Sequence, residues 1–190
     1  MIAVCVRIHK AERWVHTRQQ YEQQAYRDKC LVVVANGCDI DVSGILGKVL
    51  VKRHTEPLGY GGAANACLEA ALESGADIAA FFDAGDQYDP PYLDKVAAAL
   101  TDHDACGQGG FWLKSTYGLI LQCPERCDCP CEFGMSGGTL AVKIDKALPF
   151  DEQLPKGEDR DWVTRMLKAK RRVRSVSPDH YTKIPTQVTK

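Results

Sequence analysis

Short apolar runs alternate with longer amphipathic stretches along the first half of the chain. Four runs are rich in β-branched or aromatic residues and have the length of buried strands: residues 2–8, 31–34, 48–52 and 77–82. Apolar residues recur at helical spacing in three further segments: residues 10–26, 63–73 and 92–100. This repeated alternation predicts an α/β fold with a mostly parallel central sheet.

The second half of the chain is less regular. Residues 107–115 and 117–122 have the composition of two strands in a hairpin-like excursion, and residues 139–142 form another short apolar run. A helix is predicted over residues 161–169, with acidic residues at its start that suit the helix dipole. The sequence contains no internal repeat and no linker, so we expect residues 1–190 to form one domain.

Composition and charge narrow the class of protein. Of 190 residues, 45% are hydrophobic and 26% are charged, which is typical of a globular domain. The formal net charge of −1 argues against a uniformly basic nucleic-acid-binding protein. No apolar run approaches the roughly 20 residues that span a bilayer, and the N-terminus lacks the pattern of a signal peptide. We therefore expect a cytoplasmic protein.

Two carboxylates directly follow the fourth predicted strand. Asp83 and Asp86 lie where the chain leaves the sheet, and ligands bind at the carboxyl ends of strands in such sheets. Mg²⁺ and Mn²⁺ prefer oxygen ligands, often one or two carboxylates together with substrate phosphates. The segment is therefore a candidate metal site, with a solvated acidic turn as the alternative.

Three further segments have candidate chemistry. Gly59, Gly61 and Gly62 precede a helix, where backbone amides can approach a phosphate, although the spacing is not that of a P-loop or a dinucleotide fingerprint. The acidic run around Asp159 fits either a general base or ordinary helix capping. His180 is a candidate metal or phosphate ligand only in the company of these groups.

The order of these motifs resembles that of the family 2 inverting glycosyltransferases, which have the GT-A fold. The resemblance spans about residues 2–182. The matching segments are the glycine-rich stretch from Gly59 to Asn65, the DxD-type segment Asp83-Ala84-Gly85-Asp86, Pro91-Tyr92-Leu93, Ser136-Gly137-Gly138-Thr139, Phe150-Asp151-Glu152, and Glu158-Asp159.

The resemblance implies a GT-A nucleotide-diphospho-sugar transferase fold, a single Rossmann-like α/β/α sandwich. Its nucleotide-sugar-binding half would cover about residues 1–105 and its acceptor half about residues 106–190. The implied reaction is transfer of a sugar, as in a hexosyltransferase, from a nucleotide-diphosphate donor such as a UDP sugar to an acceptor hydroxyl, with inversion. A saccharide, a protein, a small molecule or a modified nucleic-acid base could each be the acceptor.

The resemblance also assigns roles to individual residues. Asp159 would be the catalytic base, with Glu158 beside it. The implied ligands of Mn²⁺ or Mg²⁺ are Asp83, Asp86 and His180. The implied donor-binding residues are Arg7, His9, Asn36, Gly59, Gly62, Asn65, Asp83 and Ala84. The implied acceptor-binding residues are Gly137, Gly138, Asp161 and Trp162.

Two departures from the family pattern keep other functions open. Gly85 stands where family members often have an aspartate, and Ala35-Asn36 stands where an acidic pair is common. A non-catalytic module that binds nucleotide sugars would explain these departures. A nucleotidyltransferase is the other alternative, but residues 7–13 lack the glycine-rich loop it would need after the first strand.

Nine cysteines form two groups. The five scattered ones are predicted to be small buried thiols: Cys5, Cys30, Cys38, Cys67 and Cys106. The other four crowd into one short segment: Cys123, Cys127, Cys129 and Cys131. This segment could bind a structural zinc ion, contain a disulfide or keep free thiols, although structural zinc sites usually space two ligand pairs more widely.

Overall fold

A twisted, mostly parallel sheet forms the centre of the molecule. The computed structural model describes residues 1–108, 111–115, 118–122, 137–176 and 181–183, with only the backbone described for 111–115, 118–122 and 181–183. The sheet has seven strands in the order β10-β6-β9-β4-β1-β2-β3. These strands are β1 (Ile2–Ile8), β2 (Lys29–Asn36), β3 (Val49–His54), β4 (Ile78–Asp83), β6 (Ala105–Gly107), β9 (Ala141–Lys143) and β10 (Val173–Ser175). Only β9 runs antiparallel to its neighbours β4 and β6.

A smaller sheet has four strands in the order β5-β11-β7-β8. Its strands are β5 (Gln87–Tyr88), β7 (Phe111–Ser115), β8 (Gly118–Gln122) and β11 (Tyr181–Lys183). β7 and β8 pair antiparallel, which confirms the predicted hairpin.

Helices cover both faces of the central sheet. They are α1 (Trp14–Glu22), α2 (Tyr60–Glu73), α3 (Tyr92–Asp102) and α4 (Glu158–Lys168). Alternation along β1 divides the core, because Val4 and Val6 pack with apolar residues of α1 and α3, whereas Ala3 and Cys5 pack with those of α2 and α4. The chain therefore forms the predicted α/β/α sandwich.

The predicted elements match the structure best where the apolar signal is longest. All four predicted strands and the helices α2 and α3 are present, with boundaries that shift by a few residues. The helix predicted over 10–26 is shorter, a 3₁₀ turn at Ala11–Arg13 followed by α1. The run 139–142 begins within a second 3₁₀ turn, Gly137–Thr139, and becomes strand only at Ala141.

The scattered cysteines are free thiols, and four of the five are buried as predicted. Cys5, Cys30, Cys67 and Cys106 are buried, and Cys38 is half-buried. The cluster Cys123, Cys127, Cys129 and Cys131 lies outside the described residues, as does His180. Among the helices that the structure describes, none combines the length and the apolar composition needed to cross a bilayer.

Candidate active site

The carboxyl ends of β1 and β4 bring a cation and a carboxylate together. The two strands are parallel neighbours, and their register places Arg7 opposite Asp83. Both residues continue the side-chain series that faces α2 and α4, because Cys5 and Phe81 precede them by two positions and pack in that part of the core. Arg7 Nη2 lies 3.2 Å from Asp83 Oδ1.

The first turn of α4 adds two more carboxylates to this site. Glu158 Oε1 lies 3.5 Å from Arg7 Nη1, and the side chain of Glu158 is 11% exposed. Asp159 Oδ2 accepts a hydrogen bond from the backbone N–H of Gly137 at 3.1 Å, and its Oδ1 accepts one from Arg160 N–H at 2.7 Å. Acidic residues are favoured in a first helical turn, so the dipole of α4 stabilises the negative charges of Glu158 and Asp159.

Gly137 and Gly138 separate Asp83 from Asp159. A Cβ atom on Gly138 would lie 2.6 Å from Asp83 Cγ, so this position admits only glycine without movement of the carboxylate. Buried Tyr88 fixes the contact, because its hydroxyl donates to Gly138 O and accepts from Asp83 N–H, both at 2.7 Å. The structure thus brings together the carboxylates predicted as metal ligand and base and the predicted acceptor-side glycines.

The turn from Asp83 to Asp86 explains the glycine at its third position. Gly85 has a φ of +93°, a left-handed conformation that favours glycine, and a Cβ there would lie 3.2 Å from Arg13 Nη1. Arg13 Nη1 donates to Ala84 O at 2.9 Å, and Thr17 Oγ1 accepts from Gly85 N–H at 3.3 Å. An aspartate would be strained at this φ, so the departure from the DxD pattern follows from the backbone conformation.

The donor set at this turn fits a hard divalent cation bound partly by phosphate oxygens. The side chain of Asp83 is 32% exposed, whereas Asp86 is buried at 4%. Within the described ranges, no three His, Cys, Asp or Glu side chains form a ready-made metal site. Mg²⁺ is commonly bound by one or two carboxylates plus substrate phosphates. The partly exposed Asp83 can supply such a carboxylate, and the neighbouring carboxylates add negative charge that attracts a cation.

The ends of β1 and β2 form a partly aromatic wall beside this site. Asn36 is buried, its Oδ1 accepts Leu58 N–H at 2.6 Å and its Nδ2 donates to Leu58 O at 3.0 Å. Asn36 Nδ2 also lies 3.0 Å from His9 Nδ1, and the His9 ring meets the Tyr60 ring edge to face with centroids 5.9 Å apart. Partial desolvation, followed by the charge of Arg7, lowers the pKa of His9, which favours the neutral imidazole.

The glycine-rich start of α2 packs against protein backbone. A Cβ on Gly61 would lie 2.3 Å from Asp151 O. Asn65 Oδ1 accepts Phe150 N–H at 2.7 Å, and its Nδ2 donates to Phe150 O at 3.0 Å. These contacts give Gly61 and Asn65 a role in joining α2 to the segment before α4, and the donor-binding roles of Gly59, Gly62 and Asn65 stay predictions.

Two residues predicted to bind the acceptor have other contacts. Trp162 is fully buried, stacks on Phe150 and donates from Nε1 to Leu148 O at 2.7 Å, so its role is packing. Asp161 Oδ2 pairs with Arg165 at 2.6 Å on the surface of α4. Sequence reasoning missed Arg13, Tyr60 and Tyr88, because single aromatic and basic residues in helices and short strands match no motif.

Comparison with solved structures defines the class of the fold. No protein-family model matches the chain, and no curated protein sequence matches it. Glycosyltransferase structures match it over nearly its whole length, and the chain has their fold, the GT-A fold.

Three of these structures illustrate the similarity. The mannosyltransferase PcManGT from Pyrobaculum calidifontis, in complex with GDP-Man and Mn²⁺, matches with a TM-score of 0.69 and 14% identity, over 99% of this chain and 58% of that chain. Residues 1–349 of S. aureus TarS match with a TM-score of 0.69 and 18% identity, over 96% and 60%. GalNAc-T7 with UDP, GalNAc and Mn²⁺ matches with a TM-score of 0.71 and 13% identity, over 99% and 44%. The chain therefore spans at most about three-fifths of the length of these proteins.

Proposed function

We propose that the protein is a glycosyltransferase that moves a hexose from a nucleoside-diphosphate sugar to an acceptor hydroxyl with inversion. One observation carries the proposal: Asp83, Glu158 and Asp159 converge beside Gly137 and Gly138 at the carboxyl ends of parallel strands. This is the edge at which open α/β sheets bind ligands. The similar structures support the donor class, since one contains GDP-Man with Mn²⁺ and another UDP-GlcNAc.

Asp83 is the proposed anchor for the donor. Its carboxylate would hold Mn²⁺ or Mg²⁺, with Asp86 in the same turn and His180 as further candidate ligands. The ion, when bound, would neutralise charge on the departing nucleoside diphosphate. Gly138 leaves space for the Asp83 carboxylate, and Tyr88 holds both backbone groups in place. His9 and Tyr60 offer an exposed ring pair beside this site for the nucleoside.

Asp159 is the proposed general base. Its carboxylate is half-buried and is held by the Gly137 and Arg160 N–H groups, which orient it beside the glycine pair. Glu158 is more buried and faces Arg7, so it is less available to an acceptor. Asp159 would take the proton of the acceptor hydroxyl as that oxygen attacks the anomeric carbon and the bond to the diphosphate breaks.

Release of nucleoside diphosphate from UDP and GDP sugars, with and without Mn²⁺, tests the function. Asp159→Asn should lower turnover by about 10²–10⁴-fold with donor binding kept, because only the proton acceptor is removed. Asp83→Asn should lose donor binding itself. Asp145→Asn is the matched control, since Asp145 is an exposed carboxylate outside the site. Donor binding without turnover in the wild-type protein would instead identify a binding module.

A further inference from the structure

Arg7 is a nearly buried cation held between two carboxylates from different elements. Its side chain is 10% exposed, and it lies between Asp83 at the end of β4 and Glu158 at the start of α4. Its Nη1 also lies 3.5 Å from Tyr60 O, and its guanidinium carbon lies 5.9 Å from the centre of the Phe81 ring. One side chain thus connects the proposed donor anchor to the helix that carries the proposed base.

The charge of Arg7 is permanent in this position. An arginine guanidinium stays protonated in proteins, and Arg7 faces the carboxylates of Asp83 and Glu158. An arginine this buried requires paired charges, because removal of its partners would leave an uncompensated buried charge. Arg7 therefore keeps both carboxylates turned towards it.

The same charge opposes any other cation at Asp83. Arg7 Nη2 already contacts Asp83 Oδ1 at 3.2 Å, so a divalent ion bound to this carboxylate would lie within a few ångströms of the guanidinium. Like charges at such separation repel strongly in a partly desolvated site. The contact distances of 3.2 and 3.5 Å are longer than those of tight charge-assisted hydrogen bonds, about 2.7–2.9 Å, so the pairing is loose enough for competition.

We propose that Arg7 is a positioning residue that holds Asp83 and Glu158 together and weakens the binding of a free divalent cation at Asp83. The consequence for catalysis rests on the proposed function. Arg7 would favour a cation already bound to the donor diphosphate over a free cation. Glu158 modulates the effect, because it shares the guanidinium with Asp83. Removing Arg7 should therefore tighten free-cation binding, and removing the charge of Glu158 should weaken it.

Titration of the free protein with Mn²⁺, followed by the electron paramagnetic resonance signal of unbound Mn²⁺, tests the proposal without any nucleotide or turnover. Arg7→Gln should bind Mn²⁺ roughly tenfold more tightly than the wild-type protein. Arg7→Lys, which keeps the charge, should remain close to wild type. Arg53→Gln is the matched control: it removes the same charge at the same sheet edge, two strands away and from an exposed side chain.

Glu158→Gln provides the second arm if Arg7→Gln does not fold, which circular dichroism would show. It leaves the Arg7–Asp83 pair intact, so Mn²⁺ affinity should fall severalfold. An unchanged or weaker affinity in folded Arg7→Gln, or an affinity in Glu158→Gln that does not fall, would overturn the proposal. Neither Mn²⁺ titration depends on sugar transfer. The proposed function is tested separately, because it is wrong if the protein binds no nucleotide.

Discussion

At the scale of single residues, the site depends on how closely backbone can approach a carboxylate. Gly138 lies directly against Asp83, and the buried Tyr88 hydroxyl ties the two backbones together. Among the side chains that the structure describes, Arg7 is the one that pairs with the Asp83 carboxylate. The position of that carboxylate is therefore set by packing against Gly138 together with its contact with Arg7.

Gly138→Ala tests this contact. Its Cβ would lie 2.6 Å from Asp83 Cγ, so the carboxylate must move, and we expect at least a tenfold loss of affinity for Mn²⁺ with UDP or GDP, measured by calorimetry. Overpacking of this kind typically also costs about 1–3 kcal/mol of stability. Gly137→Ala is the matched control, because its Cβ would lie 3.4 Å from Asp159 Oδ2 and needs only a small adjustment. Equal affinities in the two variants would contradict the packing account.

At the scale of elements, the two adjacent glycines at the start of α2 have different surroundings. Gly61 allows the helix to lie against the backbone of Asp151, whereas Gly62 has only ordinary contacts around it. Asn65, one turn later, bonds both backbone groups of Phe150. The first turn of α2 is thereby fixed to the segment that leads into α4, so the helix that carries the proposed base has a rigid support.

Adjacent glycine-to-alanine changes should therefore act in opposite directions. Gly62→Ala should raise the free energy of unfolding by about 0.5–1 kcal/mol, since alanine is the better helix former and meets no atom closer than 3.5 Å. Gly61→Ala should lower it by about 2 kcal/mol or more, since its Cβ would lie 2.3 Å from Asp151 O. Urea unfolding of both variants measures the difference. A stabilised Gly61→Ala variant would show that α2 does not pack on Asp151.

The sequence predicts those elements whose pattern of apolar residues lies within one continuous segment. β1 and β2 are long β-branched runs, and α3 has apolar residues on one face, so the sequence predicts these strands and this helix. The strands β5 and β10 span only two and three residues, too few for any periodicity, and exist because neighbouring strands offer hydrogen bonds. Asp83 and Asp159 were found through motifs, but the bridge from Arg7 to Glu158 joins residues 151 positions apart and depends on the assembled sheet.

At the scale of the whole molecule, the core contains ionisable groups that must stay neutral. Burial raises the pKa of Cys106 to about 12, and burial together with nearby thiols raises the pKa values of Cys5 and Tyr92. These groups ionise in the unfolded chain near their ordinary values, about 8.5 for cysteine and 10 for tyrosine. The folded state therefore binds more protons than the unfolded state in alkaline solution.

Stability should accordingly fall as the pH rises. The contribution of these groups is fully present below pH 8.5 and is lost progressively as the pH rises towards 12, by up to about 1.4 kcal/mol per pH unit for each fully buried group. Urea unfolding under reducing conditions at pH 8 and pH 10 measures the loss. Cys106→Ala should show a shallower decline, although its stability at pH 8 is lower. A pH-independent stability over this range would contradict the burial of these thiols.

The most direct test of the central claim, that the Asp83 site binds a nucleoside-diphosphate sugar, is a thermal-unfolding screen of nucleoside diphosphates and their sugars with and without Mn²⁺. A ligand present at about 100 times its dissociation constant adds about 2.7 kcal/mol to the free energy of unfolding. We predict such stabilisation by at least one nucleotide, dependent on Mn²⁺, absent in Asp83→Asn and kept in Asp145→Asn. If no nucleotide stabilises the wild-type protein under either condition, the proposed function is wrong.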